Sequence, residues 1–238
     1  MTGTADGSPA VEGVDNAARD GVSGNASRPQ AAACCGTLVT FGVLAVVGVV
    51  VDLWSKRAAF DPAFVPGPLR PIAGGWATFQ LTTSFNEGAL FGVGQGLTWL
   101  FALLSLVAIG GVFFWLLTLG GRESAWLSVA LGLILAGTLG NLYDRAGCHG
   151  EVYPDGTERA GEQRYAVRDF LLFTFGKPGT PLHQRYHYPV FNFADVFLVT
   201  GAIMLVLKSF QPEPTTPASS PQTATADPPG LPPEETAW

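Results

Sequence analysis

Two carboxylates set in apolar runs, Asp169 in "AVRDFLLF" and Asp195 in "PVFNFADVF", are the side chains of this chain best placed for chemistry. Neither has an adjacent cation that neutralises it. Arg168 neighbours Asp169, but on a strand alternate residues point to opposite faces. An Asp at the centre of a membrane-spanning helix costs roughly 2.5–3.5 kcal/mol, so such a group marks a site rather than a scaffold. Two carboxylates brought close together cannot both ionise comfortably, and they share a proton across two macroscopic pKa values. The ionised partner can take a proton from water while the protonated one polarises a carbonyl. That is hydrolysis without a Ser or Cys nucleophile and without a metal. No GxSxG, HExxH or CxxC occurs; His183 and His187 stand four apart but lack a third placed ligand, and no metal or cofactor is expected.

Other polar residues gather around these two. "VDLWSK" ends an apolar run with Asp52 and Lys56 four apart, on one helix face. They read as an interfacial pair at a helix end. "FNEGALFG" carries Asn86 and Gly88, a pair that suits a turn. "GTLGNLYDRA" carries Asn141 and Asp144 three apart, with Arg145 next door, as a helix-end polar network. Asn192 precedes Asp195 by the same spacing. In lipid such side chains must satisfy one another, so they are expected to converge.

The elements that position them are apolar. The chain of 238 residues is 47% hydrophobic and only 13% charged, with a mean hydropathy of +0.28. Soluble domains carry about 25% charged residues. Much of the net charge of −6 lies in the two ends of the chain, and no basic patch points to nucleic acid. Residues 1–30 and the Pro/Thr/Ala/Ser-rich 211–238 are expected to be disordered tails. Between them, residues 31–210 hold four apolar segments: Ala31–Val51, Leu97–Leu119, Ala125–Tyr143 and Tyr188–Leu207. Residues 120–124 would link the second and third tightly. Four crossings place both tails on one side and the two long loops on the other. "WATFQLTTSFN" puts Phe79, Leu81, Thr83 and Phe85 on one face at period two, which predicts a small strand pair. Residues 147–168 form a polar, acidic insertion.

Taken in order, "DLWSK", "FNEGALFG", "GTLGNLYDRA", "VRDFL" and "PVFNFADVF" resemble the motifs of signal peptidase II, the lipoprotein signal peptidase. The resemblance covers Leu38 to about Phe210. It implies an all-α membrane protein of four transmembrane helices, with a small extracytoplasmic β-sheet cradle and a surface helix. It also implies an aspartyl endopeptidase of the bacterial cytoplasmic membrane, inhibited by globomycin. Such an enzyme cuts the signal peptide of a diacylglyceryl-modified prolipoprotein just before the lipidated cysteine. By motif, Asp169 and Asp195 are its catalytic dyad. Asn86, Gly88, Asn141, Asp144, Arg145 and Asn192 line or brace the site, with Asp52 and Lys56 nearer its edge. A monomer in contact with membrane lipid is expected.

The stretch between "YDRA" and "VRDF" is longer than the compact form of that family, and Tyr188 stands where a Trp often precedes "PVFN". Lys and Arg are more numerous in the loops than on the tail side, which by the positive-inside rule places the loops in the cytoplasm. The motifs place them outside, with both termini cytoplasmic. An ion- or proton-coupled transporter and an inactive lipopeptide-binding homologue are the alternative readings.

Overall fold

The computed structural model describes residues 27–88, 94–118 and 124–211. Helix α1 (Ser27–Ala59) is followed by strands β1 (Arg70–Ile72) and β2 (Ala77–Asn86) and by helices α2 (Thr98–Thr118) and α3 (Ala125–Arg145). Strands β3 (Val167–Phe175) and β4 (Tyr186–His187) and helix α4 (Phe193–Ser209) complete the fold. The expected tails fall almost entirely outside the described residues, as does most of the link at 120–124. The boundary at residue 30 moves, because α1 already begins at Ser27.

Among the described residues, three helices are long and apolar enough to cross a membrane: Cys35–Ala59, Thr98–Thr118 and Ala125–Arg145, with hydropathies of 2.2, 2.5 and 1.7. Their outward faces, such as Val43, Val46 and Val50 of α1 and Leu103, Val107 and Phe114 of α2, leave large apolar side chains exposed. Faces of this extent call for a lipid or protein cover. The expected count of four spans is met only in part. Helix α4 has 17 residues, which at 1.5 Å per residue is about 25 Å, short of a hydrocarbon core of about 30 Å. It begins at Phe193 rather than Tyr188, because residues before it are extended: Phe191 bridges Leu171 of β3. Conversely, α1 runs past Val51 to Ala59.

Helix α3 is the centre of the bundle and packs against α1, α2 and α4. Its small residues let backbones approach, as in other membrane bundles. A Cβ on Gly137 would collide with the Ala194 carbonyl, and one on Gly140 with the Asp52 carboxylate. Both glycines therefore bring polar groups of α1 and α4 against α3.

The sheet is antiparallel in the order β1-β2-β3-β4: β1 and β2 pair within the first loop, as expected, and the pairing of β2 with β3 joins the two loops. Leu81 pairs with Leu171, but Ser84, not Thr83, pairs with Asp169. One extra residue in β2 makes a bulge there. The expected single face of Phe79, Leu81, Thr83 and Phe85 is thus broken. Phe79 and Leu81 lie opposite Phe173 and Leu171, whereas Phe85 lies opposite Arg168 and on its side of the sheet. Among the described residues of the first loop there is no surface α-helix, only a 3-10 turn at Ala73–Gly75. The polar insertion ends at Ala166, since Val167 and Arg168 already belong to β3.

Candidate active site

The C-terminal ends of α1 and α3, the N-terminus of α4 and the β2–β3 pair meet at one end of the bundle. Asp195 is not mid-helix. It is the third residue of α4 and forms a capping box: its backbone N–H donates to Asn192 Oδ1 at 3.1 Å, and its Oδ2 accepts from Asn192 N at 3.1 Å. A carboxylate in the first turn is favoured by the helix dipole and by otherwise unpaired N–H groups. The burial cost expected for the centre of a span does not apply here.

Asp169, on β3, is 2% exposed. Its Oδ1 accepts from Asn192 Nδ2 at 2.6 Å and its Oδ2 from Asn86 Nδ2 at 3.1 Å. The β2 bulge makes the second contact possible. With unbroken pairing, Phe85 would share the face of Asp169 and Asn86 would point away. Asn86 Oδ1 in turn accepts from Gly88 N at 3.0 Å, so the residue makes the turn suggested by its sequence and also meets the carboxylate.

Asn141 links the halves of the site. Its Nδ2 donates to Asp195 Oδ1 at 2.9 Å, while its Oδ1 accepts from Lys56 Nζ at 3.0 Å and Asn192 Nδ2 at 3.3 Å. Asp169 and Asp195 are therefore joined through two asparagine amides. Burial, and next to it the negative charge of Asp195, push the Asp169 carboxyl up to about 7; the hydrogen bonds from Asn86 and Asn192 and the charge of Lys56 oppose that rise.

Asp52 and Lys56 do not lie at the edge. Both are fully buried, because the lysine has two carboxylates to meet inside the bundle. Lys56 Nζ is 2.8 Å from Asp52 Oδ2 and 3.1 Å from Asp144 Oδ2. With Asn141 Oδ1, which accepts its hydrogen bond, the ammonium is enclosed by three oxygens. Asp52 Oδ1 also accepts from Ala194 N at 2.9 Å, which fastens the start of α4 to α1.

Arg168 was not among the expected site residues. Strand alternation turns it from Asp169 toward Asp144, whose Oδ1 accepts from its Nε at 3.1 Å and its Nη2 at 2.8 Å. Its backbone N–H donates to the other oxygen at 3.0 Å. The available sequence signal was a helix-end Asp144 needing a fixed cation and an arginine one step out of phase with Asp169. Arg145 leaves the network expected for it. Its Nη2 reaches the Gly88 carbonyl at 3.5 Å and its guanidinium lies over Phe101, within electrostatic range of Asp169 and Asp195.

Asp195 also borders a groove of about 380 Å³ walled by Phe173, Phe175, Tyr188, Phe191 and the α4 residues Val196 and Val199. Phe173 and Phe191 stack at 5.8 Å between centroids. The site thus combines two carboxylates joined through asparagine amides with an apolar trough.

The chain is similar to known proteins over most of its length. The chain is 36% identical over 204 residues to the lipoprotein signal peptidase of Rhodopirellula baltica, covering 82% of this chain and 85% of that one. It is 34% identical over 166 residues to the lipoprotein signal peptidase of Bacillus pumilus, covering 70% and 89%. A bacterial membrane enzyme solved by the in meso method at 1.9 Å resolution superposes with a TM-score of 0.51 at 22% identity, over 72% of this chain and 93% of that one. At that identity the likeness carries the fold. The model of the signal peptidase (SPase) II family matches residues 44–211. The chain belongs to the signal peptidase II family of lipoprotein-processing proteases.

Proposed function

We propose that this protein is an integral membrane aspartyl endopeptidase that cleaves the signal peptide from diacylglyceryl-modified prolipoproteins, immediately before the lipidated cysteine. The observation that carries the proposal is the pair Asp169 and Asp195, delivered by different elements and linked through Asn192 and Asn141 beside an apolar groove.

Asp169, the more buried carboxyl, holds a proton near neutral pH and donates it to the scissile carbonyl oxygen. Asp195, ionised, accepts a proton from water as the water oxygen bonds to the carbonyl carbon. The tetrahedral diol collapses as Asp195 passes its proton to the leaving nitrogen. The C–N bond breaks and Asp169 recovers a proton from the hydroxyl. No covalent enzyme intermediate forms. Asn141 and Asn192 hold the two carboxyl groups at fixed positions, which is where much of the rate gain of a preorganised site arises.

The apolar part of the substrate enters laterally between α4 and the sheet, while its acyl chains stay in lipid, each buried methylene adding about 0.8 kcal/mol of anchoring. Helix α4 serves as a fourth crossing, helped by its exposed Val199, Ile203 and Val206. Both termini are then cytoplasmic and the site is extracytoplasmic, in a monomer. A transporter would need ionisable groups along its spans. Those of the described helices lie at the site end, apart from Arg28 and Lys208.

A diacylglyceryl-cysteine peptide, incubated with the full chain in detergent with and without globomycin, tests the proposal. Cleavage on the N-terminal side of the cysteine, blocked by the inhibitor, is expected. Intact peptide after prolonged incubation with folded protein defeats it.

A further inference from the structure

The segment 147–166 folds as a hairpin-like flap. Val152 bridges Gln163, Tyr153 N donates to the Glu162 carbonyl at 2.9 Å, and Arg164 N donates to the Glu151 carbonyl at 2.9 Å. Its inner side meets the end of β2 residue by residue. The Arg164 guanidinium lies 3.9 Å from the centroid of Phe85 and 4.6 Å from that of Tyr153. The Tyr153 hydroxyl donates to Glu87 Oε1 and accepts from Arg159 Nη1 at 2.7 Å, and Arg159 is itself held by Glu162 at 2.7 Å. Burial, followed by the Glu87 carboxylate, raises the Tyr153 pKa, so the phenol remains a donor. Phe85 and Glu87 are the two neighbours of Asn86.

We propose that the 147–166 flap is a positioning clamp: by gripping Phe85 and Glu87 it aims Asn86 at Asp169 and so sets the proton affinity of that carboxyl. Tyr153, Arg164 and Glu87 are positioning residues; none is assigned a contact with substrate. The clamp is needed because the bulge that turns Asn86 inward loosens the β2–β3 pairing just before it. On the other side, Thr98 Oγ1 donates to the Glu87 carbonyl at 3.0 Å and Arg145 reaches that of Gly88. The flap holds the Glu87 side chain and, opposite the edge-on ring of Phe60 at 5.0 Å, the Phe85 side chain. Asp169 is faced by Asn86 from β2, Asn192 and Asp195 from the start of α4, Lys56 from α1 and Arg145 from α3. Of these, Asn86 is the one whose two chain neighbours the flap holds. Release of its hydrogen bond leaves burial and Asp195 less opposed, and the carboxyl titrates at higher pH.

The clamp rests on the proteolytic reading for its consequence in rate but not for its effect on Asp169. Two readouts keep them apart in the full-length protein in detergent. One is the midpoint of the Asp169 carboxyl band in an infrared titration, assigned by difference from Asp169→Asn. The other is the pH profile for cleavage of a diacylglyceryl-cysteine peptide. Tyr153→Phe and Glu87→Ala are each expected to raise the midpoint and to lower kcat roughly ten-fold, the scale of one lost charge-assisted hydrogen bond, with KM little changed. The double variant should be no worse than either single one. Glu87→Gln, which keeps an acceptor for the phenol, should recover most of the loss. An unmoved midpoint in both single variants overturns the clamp, as does a rise in KM alone. Failure of the unmodified protein to cleave the peptide defeats the proteolytic reading, while the carboxyl midpoint still decides the clamp.

Discussion

At one end of the bundle two acidic regions lie side by side and are treated in opposite ways. In the first, Asp52 and Asp144 face Lys56 and Arg168 with contacts of 2.8 to 3.1 Å, two negative charges against two positive ones, all buried. In the second, Asp169 and Asp195 are bonded to amides and backbone rather than to a cation. Ion pairing makes the first region a clasp for α1, α3, α4 and β3. On the proposed mechanism, the absence of a bonded cation is what leaves the second pair free to exchange a proton with water and substrate. On that reading the same residue type serves architecture or chemistry according to whether a cation is bonded to it.

The comparison is broken most severely at the second pair. Asp169→Asn or Asp195→Asn should leave a folded protein and reduce prolipoprotein cleavage by at least roughly 10³-fold, since a positioned acid or base contributes about 10²–10⁴-fold. Mass spectrometry of a lipidated peptide after long incubation checks this. Substantial turnover by either variant refutes the dyad.

Breaking the first region should instead appear as instability. Lys56→Met leaves Asp52 and Asp144 facing each other in the bundle with Arg168 as the remaining cation. Removal of one partner from a buried ion pair costs about 3–5 kcal/mol. Thermal unfolding in detergent should show a lower transition before any assay is run. A variant as stable as the parent would mean that water, not Lys56, compensates these carboxylates. Asn141→Ala lies between the two regions, since it loses both the Asp195 and the Lys56 contact. It should lower kcat about 10- to 100-fold, less than loss of either aspartate, with a modest fall in stability. A complete loss of activity in a stable Asn141→Ala protein would give Asn141 a larger role than positioning.

The same contrast explains what could be read from the sequence. Apolar length located α1, α2 and α3, and polar residues at their ends located the cluster proposed as the site, because both signals are local. The fates of Asp52 and Lys56 were not local. Spacing of four predicts that they pair, but only the close approach permitted by Gly140 and the arrival of Asp144 buries them. Alternation on β3 separated Arg168 from Asp169 correctly, yet its target lies on another element. Period-two reading of β2 failed at a bulge, which has no signature in "LTTSF" and becomes visible only in the pairing with β3. Asp195 looked expensive in a continuous apolar segment. In the structure Asn192, three residues earlier, caps the helix, and a cap removes most of that expense.

The smallest effect separates the regions by pH. Asp169 is raised from 3.8 to about 7 in the folded protein, so between those values the folded chain holds a proton that the unfolded chain has released. Stability must then fall as pH rises through that window, by on the order of 1 kcal/mol per pH unit at most, and level off above it. This is opposite to the usual salt-bridged carboxylate, whose contribution is lost on acidification. Asp169→Asn removes the titrating group and should flatten this part of the profile, even though it leaves the Lys56 and Arg168 contacts of the neighbouring region intact. Unfolding midpoints measured for both proteins from about pH 4 to 8 decide the matter. Parallel curves would assign the pH dependence to other groups and place Asp169 among the ordinary, fully compensated carboxylates.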